Sequence, residues 1–366
     1  MTGTGVVPTP AAPAPTREIA SSIGQAVHGT SGLLAAGYLA GVPEISIVVP
    51  TLDRPRHLAA TLAGLEAACL GLDAEVLVVA DASEPDPSRV AAEVSRRNLD
   101  ARCIAAPRRG ASAARNIGWR SAQSPLILFL DDDLVASAEL VAAHLATHRR
   151  EPAETIGVLG HVRWAPRLKV TPLMRWVEHG IQFDYPGIKG STAGWGRFYT
   201  TNVSVKRSVL EQVDGFDEER FPFMYEDLDL GYRLHQKLGF VLLYERRAVG
   251  DHLQAMDLDF WRRRVRKIAV AERAFCRVHP EIEPFFHRLF SDAHARPPAR
   301  GRGRHLIGLV APSVPVLGEY VWSSAHLYFA QALAPDFLEA WAAEGGQGAD
   351  RLEEGDDSAQ REQRFA

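Results

Sequence analysis

Three consecutive carboxylates, Asp131-Asp132-Asp133, close the apolar run Pro125-Leu126-Ile127-Leu128-Phe129-Leu130. Acids packed this closely repel one another and cost stability unless a cation or a hydroxyl-rich ligand sits among them. One Asp would suit a helix cap; three favour a ligand. Two further acidic points accompany the cluster: Asp81, at the end of the run Glu75 to Ala80, and the pair Glu226-Asp227, at the head of a helical stretch. A hard divalent cation takes oxygen ligands, and Mg2+ or Mn2+ prefers one or two carboxylates plus substrate phosphates to a full protein cage. One acid of the cluster with a diphosphate fits that description. A second acid could then accept hydroxyls of a ribose or sugar, and a carboxylate elsewhere in the pocket is free to act as a general base.

Such residues need strands that end together. Ile45 to Val49 reads as a strand, followed by a helix from about Arg56 to Cys69 with Leu58, Leu62 and Leu65 at helical spacing. Strands follow at Glu75 to Ala80, Ala101 to Ala105 and Leu126 to Leu130, with helices at Pro87 to Arg97, Gly110 to Ala122 and Ser137 to Arg150. This alternation implies a parallel sheet with helices on both faces. Ligands bind such sheets outside the carboxyl ends of the strands, where Asp81 and the acid cluster fall.

After Thr155 the rhythm changes. Strands at Ile156 to Val162 and Tyr199 to Lys206 flank an irregular, aromatic stretch from Trp164 to Arg197. That stretch reads equally as a platform for sugars or bases and as a hydrophobic cover for the sheet. A helix from Glu226 to Leu238 begins with two acids that suit its positive end. Short strands follow at Val241 to Tyr244 and Ala248 to Val249. From Asp259 the chain reads as helical and basic, then as an Arg-rich loop from Arg296 to Arg304, then as an apolar helical pair from Leu306 to Trp341. The expected organisation is a flexible leader over 1–42, an α/β domain over 43–255, a helical extension over 256–344 and a disordered tail over 345–366.

Composition narrows the function. The chain has 366 residues, 46% of them hydrophobic, enough for a large core. A net charge of -4 argues against a general nucleic-acid binder. Cys69, Cys103 and Cys276 show no metal-ligand spacing and suit a reducing compartment. No run spans a membrane: Leu33 to Val42 is too short, and Leu306 to Trp322 holds Pro312, Pro315 and Glu319. The expected setting is cytoplasmic. The basic helix around Trp261 to Lys267, the Arg loop and the apolar stretch leave two readings of the extension: peripheral contact with an anionic membrane, or a solvated basic face with apolar helices packed on the catalytic domain.

An ordered set of motifs resembles one family. It comprises Ile45 to Arg54 (ISIVVPTLDR), Val78 to Ser83, Arg109 to Gly118, Phe129 to Asp133, Gly215 to Glu218 and Glu226 to Leu234. Together they resemble the family 2, inverting nucleotide-sugar glycosyltransferases of GT-A fold, over roughly residues 44 to 255. The resemblance implies a Rossmann-like, mostly parallel sheet, a nucleotide-diphosphate sugar donor of UDP type, a hydroxyl acceptor, and Mn2+ or Mg2+. It implies that Thr51 meets the nucleotide, Asp81 pairs with the base and Arg115 lies near the diphosphate. Asp131 and Asp133 match the outer acids of a D-x-D motif, with Asp133 on the metal and Asp132 at the variable position. Asp227 matches the catalytic base, with Glu226 beside it, and His252 a position that completes the metal shell. Two departures stand out: Ala80 replaces an acid usual in the second-strand motif, and the diphosphate region carries Arg where Lys is usual. A sugar-phosphate nucleotidyltransferase and a catalytically dead nucleotide-sugar binding module are the rival readings. The absence of a Gly-rich, Lys-bearing phosphate loop weighs against the first, and the paired acidic sites against the second.

Overall fold

The computed structural model describes residues 41–299, 302–307, 309–310 and 316–344. The expectations for the leader before residue 41 and for the tail over 345–366 lie outside the described residues.

The first half alternates as the pattern of apolar runs demands: β1 (Ile45–Thr51), α1 (Pro55–Ala68), β2 (Ala74–Ala80), α2 (Pro87–Ser95), β3 (Ala101–Ala105), α3 (Ala111–Ser121) and β4 (Leu126–Leu130). Strands β1, β2 and β4 are almost wholly buried, as continuous apolar strands covered on both faces must be. Helices α1 and α2 both open with proline in the first turn, where a missing N–H costs nothing. Helix α3 lies against β1 at Gly118. A Cβ there would sit 2.3 Å from Val48 Cγ1 and 3.3 Å from Val79 Cγ2. Gly118→Ala is therefore expected to lower stability by about 1–3 kcal/mol through overpacking, despite the better helix propensity of Ala. A urea titration checks this, and an unchanged or raised midpoint would contradict so close a packing.

The second half adds β5 (Leu134–Ala136), α4 (Leu140–Arg150), β6 (Ile156–Trp164), α5 (Pro172–Val177), β7 (Asn202–Lys206), α6 (Arg207–Val213), α7 (Glu226–Leu238) and β8 (Val241–His252). One eight-stranded sheet results, in the order β3-β2-β1-β4-β7-β6-β8-β5. Strands β3, β2, β1 and β4 are parallel; β7 runs antiparallel to β4 and β6, β6 and β8 are parallel, and β5 is antiparallel to β8. The sheet is thus parallel on one side and mixed on the other. The acid cluster is the link between β4, inside the sheet, and β5, at its edge. Because Leu134 pairs with His252, that link lies beside the end of β8.

Several boundaries differ from the sequence pattern. The two short strands expected after Tyr244 are one strand, interrupted by a bulge: Gly160 pairs with Glu245 but His161 with Val249. The irregular stretch from Trp164 holds the short helix α5, capped by Thr171, and a 3-10 turn at Trp195–Arg197. β5 and α6 went unread because they are short.

The extension consists of α8 (Leu258–Val278), α9 (Phe285–His294) and α10 (Leu317–Ala343). The apolar helical pair expected over Leu306 to Trp341 is, among the described residues, the single helix α10 preceded by a 3-10 turn at Arg302–His305. A second core forms here, separate from the core of the sheet. It joins Val265, Ala269 and Phe275 of α8 to Phe290 of α9 and Ala325, Leu333 and Phe337 of α10, and it reaches Trp176, Phe221 and Tyr225 of the first domain.

Candidate active site

The carboxyl ends of β1, β2 and β4, the start of α7 and the end of β8 converge on a cavity of about 1320 Å3, closed on one side by α8 and α9. Thr51, Asp81, Arg115, Asp131, Asp132, Asp133, Glu226, Asp227 and His252 all line it. Residues from the first strand of the sheet to the last thus meet in one place.

The three acids of the cluster divide between two guanidinium groups, Asp131 on Arg115 and the other two on Arg54. Asp131, the most open, accepts from Thr201 Oγ1 at 2.7 Å and pairs with Arg115 at 3.0 Å. Asp132 is buried and accepts from Thr51 Oγ1 at 2.7 Å and Arg54 at 3.1 Å, while its backbone carbonyl accepts from Thr61. Burial pushes its carboxyl up to about 6, against the pull of Arg54. Asp132 therefore faces the end of β1, where the Thr51 hydroxyl donates to it. Asp133 pairs with Arg54 through Oδ2 at 2.7 Å. Its Oδ1 is buried with no hydrogen-bond partner, 3.6 Å from His252 Nε2. Burial pushes the Asp133 carboxyl up, but His252 and Arg54 outweigh it and hold it well below the ordinary carboxylate range.

The second acidic site stands one guanidinium away. Arg115, buried on α3, donates to Glu226 at 2.8 Å and to Asp131 at 3.0 Å. It bridges the two acidic sites, so its charge is committed to carboxylates. Glu226 Oε2 is buried without a partner. Asp227 accepts from the N–H of Leu228 at 2.8 Å. Its carboxyl is pushed up to about 7, by burial first and then by neighbouring Glu226, with Arg115 opposing. A base poised near neutrality is what general-base catalysis requires. The backbone that presents the pair is strained: Met224 and Tyr225, neither of them glycine, both take left-handed angles, with φ of 65° and 64°. Left-handed residues of this kind cost about 1–2 kcal/mol each and gather at functional sites.

Asp81 ends β2 and organises a turn: Oδ1 accepts from the N–H and hydroxyl of Ser83, and Oδ2 from the N–H of Gly110 at 2.7 Å. One lone pair of Oδ2 is left for a ligand in the cavity. Gly110 has φ of 106°, and a Cβ there would lie 2.6 Å from the Pro222 carbonyl oxygen, so only glycine brings this N–H to Asp81.

Whether these residues suit a divalent cation follows from their donor set. Asp133 offers an unpartnered buried oxygen, and burial lowers the proton affinity of the neighbouring His252, against the pull of Asp133. Among the described residues no group of three or more His, Cys, Asp or Glu side chains is arranged to hold a metal ion by itself. Two protein donors are few enough to suit Mg2+ or Mn2+, which complete their shell with water and phosphate oxygens. The carboxylates of Asp131, Asp132, Asp133, Glu226 and Asp227 outnumber the guanidinium groups of Arg54 and Arg115 that they face. A cation would offset that local excess of acid for an approaching diphosphate, as would Arg109, Arg264 and Lys267, which also line the cavity.

Two contributors escaped the sequence. Arg54 follows the first strand and could have been suspected from its place near the acids once strands were assigned. Thr201 gave no signal, because the antiparallel pairing of β7 with β4 brings it to Asp131.

Comparison with known proteins accords with this geometry. Residues 46–213 match the family model for glycosyl transferase family 2. Validoxylamine A glucosyltransferase of Streptomyces hygroscopicus subsp. jinggangensis (strain 5008) is 28% identical over 276 residues, covering 68% of this chain and 64% of that protein. Hyaluronan synthase of Pasteurella multocida is 26% identical over 219 residues, covering 52% of this chain and 22% of the synthase. The chain thus spans under two thirds of the length of these relatives. Among solved structures, the mannosyltransferase PcManGT from Pyrobaculum calidifontis, in complex with GDP-Man and Mn2+, superposes with a TM-score of 0.50 at 16% identity, covering 85% of this chain and 77% of that one. That likeness extends to the fold.

Proposed function

We propose, from the premise that residues 46–213 form a family 2 glycosyltransferase domain, that the chain moves a sugar from a nucleotide-diphosphate sugar to an acceptor hydroxyl with inversion at the anomeric carbon. The observation that carries the proposal is Asp227, raised to about 7 and presented by a strained backbone into the cavity that the acid cluster also lines.

Asp227 takes the proton of the acceptor hydroxyl. The freed oxygen forms its bond to the anomeric carbon on the face opposite the departing group, and the bond from that carbon to the diphosphate oxygen breaks, releasing nucleoside diphosphate. Holding donor and acceptor in line removes much of the entropic barrier. Asp133 and His252, with Asp131 adjacent, would hold Mn2+ or Mg2+, which as a Lewis acid offsets the charge developing on the leaving diphosphate. Arg115 ties Glu226 to Asp131 and so fixes the spacing between the two acidic sites. Asp81 would accept from a base edge through the remaining lone pair of its Oδ2. The cavity exceeds the roughly 300–1,000 Å3 of an ordinary small-molecule pocket, which leaves room for donor and acceptor together. UDP-glucose is the first donor to test and validoxylamine A the first acceptor, on the strength of the glucosyltransferase relative. Nucleoside diphosphate formed from the donor is the readout; pyrophosphate would point to a nucleotidyltransferase instead.

A second reading concerns location. No helix among the described residues is long and apolar enough to cross a membrane. The basic face of α8 is partly neutralised, since Arg266 pairs with Asp336 and Glu339 of α10. Yet Leu309, Val316, Leu317 and Tyr320, at and shortly before the start of α10, are exposed, and the sequence 296–304 that precedes them is rich in Arg. Exposed apolar side chains that follow a basic sequence suit the interface of an anionic bilayer. Flotation with anionic and neutral liposomes across a salt series is expected to show salt-sensitive binding to the anionic vesicles alone. No binding to either at low salt would contradict the reading.

A further inference from the structure

Glu272 lies in the middle of α8, buried at 1% exposure, and is remote in sequence from every motif of the catalytic domain. Its Oε1 accepts from the hydroxyl of Tyr225 at 2.9 Å and from the N–H of Phe286 at 2.7 Å, and its Oε2 accepts from the N–H of His287 at 2.8 Å. The two N–H groups belong to the first turn of α9, where backbone donors have no partner within the helix. Pro284 at the cap offers no side-chain acceptor, so a carboxylate from a different helix fills that role. The same carboxylate also grips Tyr225, the residue immediately before Glu226-Asp227.

Tyr225 is the left-handed N-cap of α7, with φ of 64° and ψ of -3°, and follows a second left-handed residue, Met224. Nothing in the side chains of Met or Tyr favours these angles, so tertiary contacts must impose them. For Tyr225 the contacts are its ring against Phe275, 5.3 Å between centroids, and its hydroxyl on Glu272. Further along α7 the extension also holds Asp229 through His279 at 2.9 Å and Tyr232 through Glu281. Asp227 itself accepts from the neighbouring Leu228 N–H, so the place of its carboxylate follows the local backbone.

We infer that Glu272 is a positioning residue for the base: through Tyr225 it fixes the left-handed entry into α7 and thereby the direction in which Asp227 faces the acceptor. The inference rests on the reading of Asp227 as the base. It makes the C-terminal extension part of the catalytic apparatus as well as a wall of the cavity.

Tyr225→Phe separates positioning from stability, because it removes one hydroxyl and leaves the cap on α9 intact. In the full chain, with UDP-glucose as first donor and nucleoside diphosphate release as the assay, Tyr225→Phe is expected to lower kcat about tenfold. Donor KM and melting temperature should stay near wild type. Glu272→Gln should lose at least as much kcat, and the double variant should be no worse than Glu272→Gln, the non-additivity of two groups acting through one path. Wild-type kcat in Tyr225→Phe, or a Glu272→Gln variant that loses only thermal stability, would overturn the inference and leave Glu272 as a helix cap. If Glu272→Gln fails to fold, the kcat of Tyr225→Phe still decides. Asp227→Asn run alongside separates the failures: full turnover there defeats the base assignment itself, whereas an inactive Asp227→Asn beside an unaffected Tyr225→Phe defeats positioning alone.

Discussion

Asp227→Asn is expected to lower turnover about a hundredfold or more while donor affinity, measured by calorimetry with UDP, stays almost intact. The amide is nearly isosteric with the carboxylate but cannot take a proton. The pH dependence follows with its sign. A general base works only when ionised, and Asp227 is pushed up to about 7 by burial and by Glu226. Turnover should therefore rise as pH climbs through about 7 and level off above it. Stability should move the other way. A carboxyl whose folded value lies above its ordinary 3.8 binds its proton more tightly in the folded state. Its contribution is present at low pH and is lost as pH rises from about 4 through 7. At pH 8 the Asn variant should thus melt higher than wild type even though it is inactive. Wild-type turnover in the variant would move the base elsewhere, with Glu226 the first alternative. A lower melting temperature at pH 8 would contradict the burial of an ionised Asp227.

The second large effect is expected at Asp133. Its unpartnered Oδ1 faces His252, and its Oδ2 is held by Arg54. Asp133→Asn should cut activity about a thousandfold, the several kcal/mol that a Lewis-acid contact to the leaving group supplies. A chelator should abolish wild-type activity. A binding readout stands apart from turnover. MnCl2 with UDP should raise the wild-type melting temperature more than UDP alone, and in Asp133→Asn the Mn2+ increment should vanish. Full activity in chelator-treated protein, or an undiminished Mn2+ increment in the variant, would end the metal role of Asp133 and His252. Arg54 sharpens the case: it already neutralises part of the Asp132-Asp133 charge, so loss of Asp133 should be less damaging to stability than to activity.

The parallel half of the sheet was legible because each of its strands is a continuous apolar run and its crossover helices carry apolar periodicity or an opening proline. The acid-bearing strand ends marked the candidate site for a related reason: a carboxylate that closes a buried strand must be solvated by something, and a ligand in the crevice does this. What escaped depended on contacts distant in sequence. The three-residue strand β5 is too short to show a pattern, yet its pairing with β8 is what sets His252 beside Asp133. The bulge in β8 interrupts the alternation and split one strand into two. Arg115, expected near the diphosphate, also joins Asp131 to Glu226, a bridge that no spacing along the chain reveals. The left-handed angles at Met224 and Tyr225 were invisible too, since neither residue type prefers them; they follow from packing against the extension.

The most direct test of the central claim is a panel of nucleotide sugars, incubated with the chain, Mn2+ and a hydroxyl acceptor, and read for the phosphate product. The account predicts free nucleoside diphosphate from at least one donor, with UDP-glucose first in line, and none above background from the Asp227→Asn variant. Pyrophosphate as the product, or binding of a nucleotide sugar without turnover across the whole panel, would contradict it.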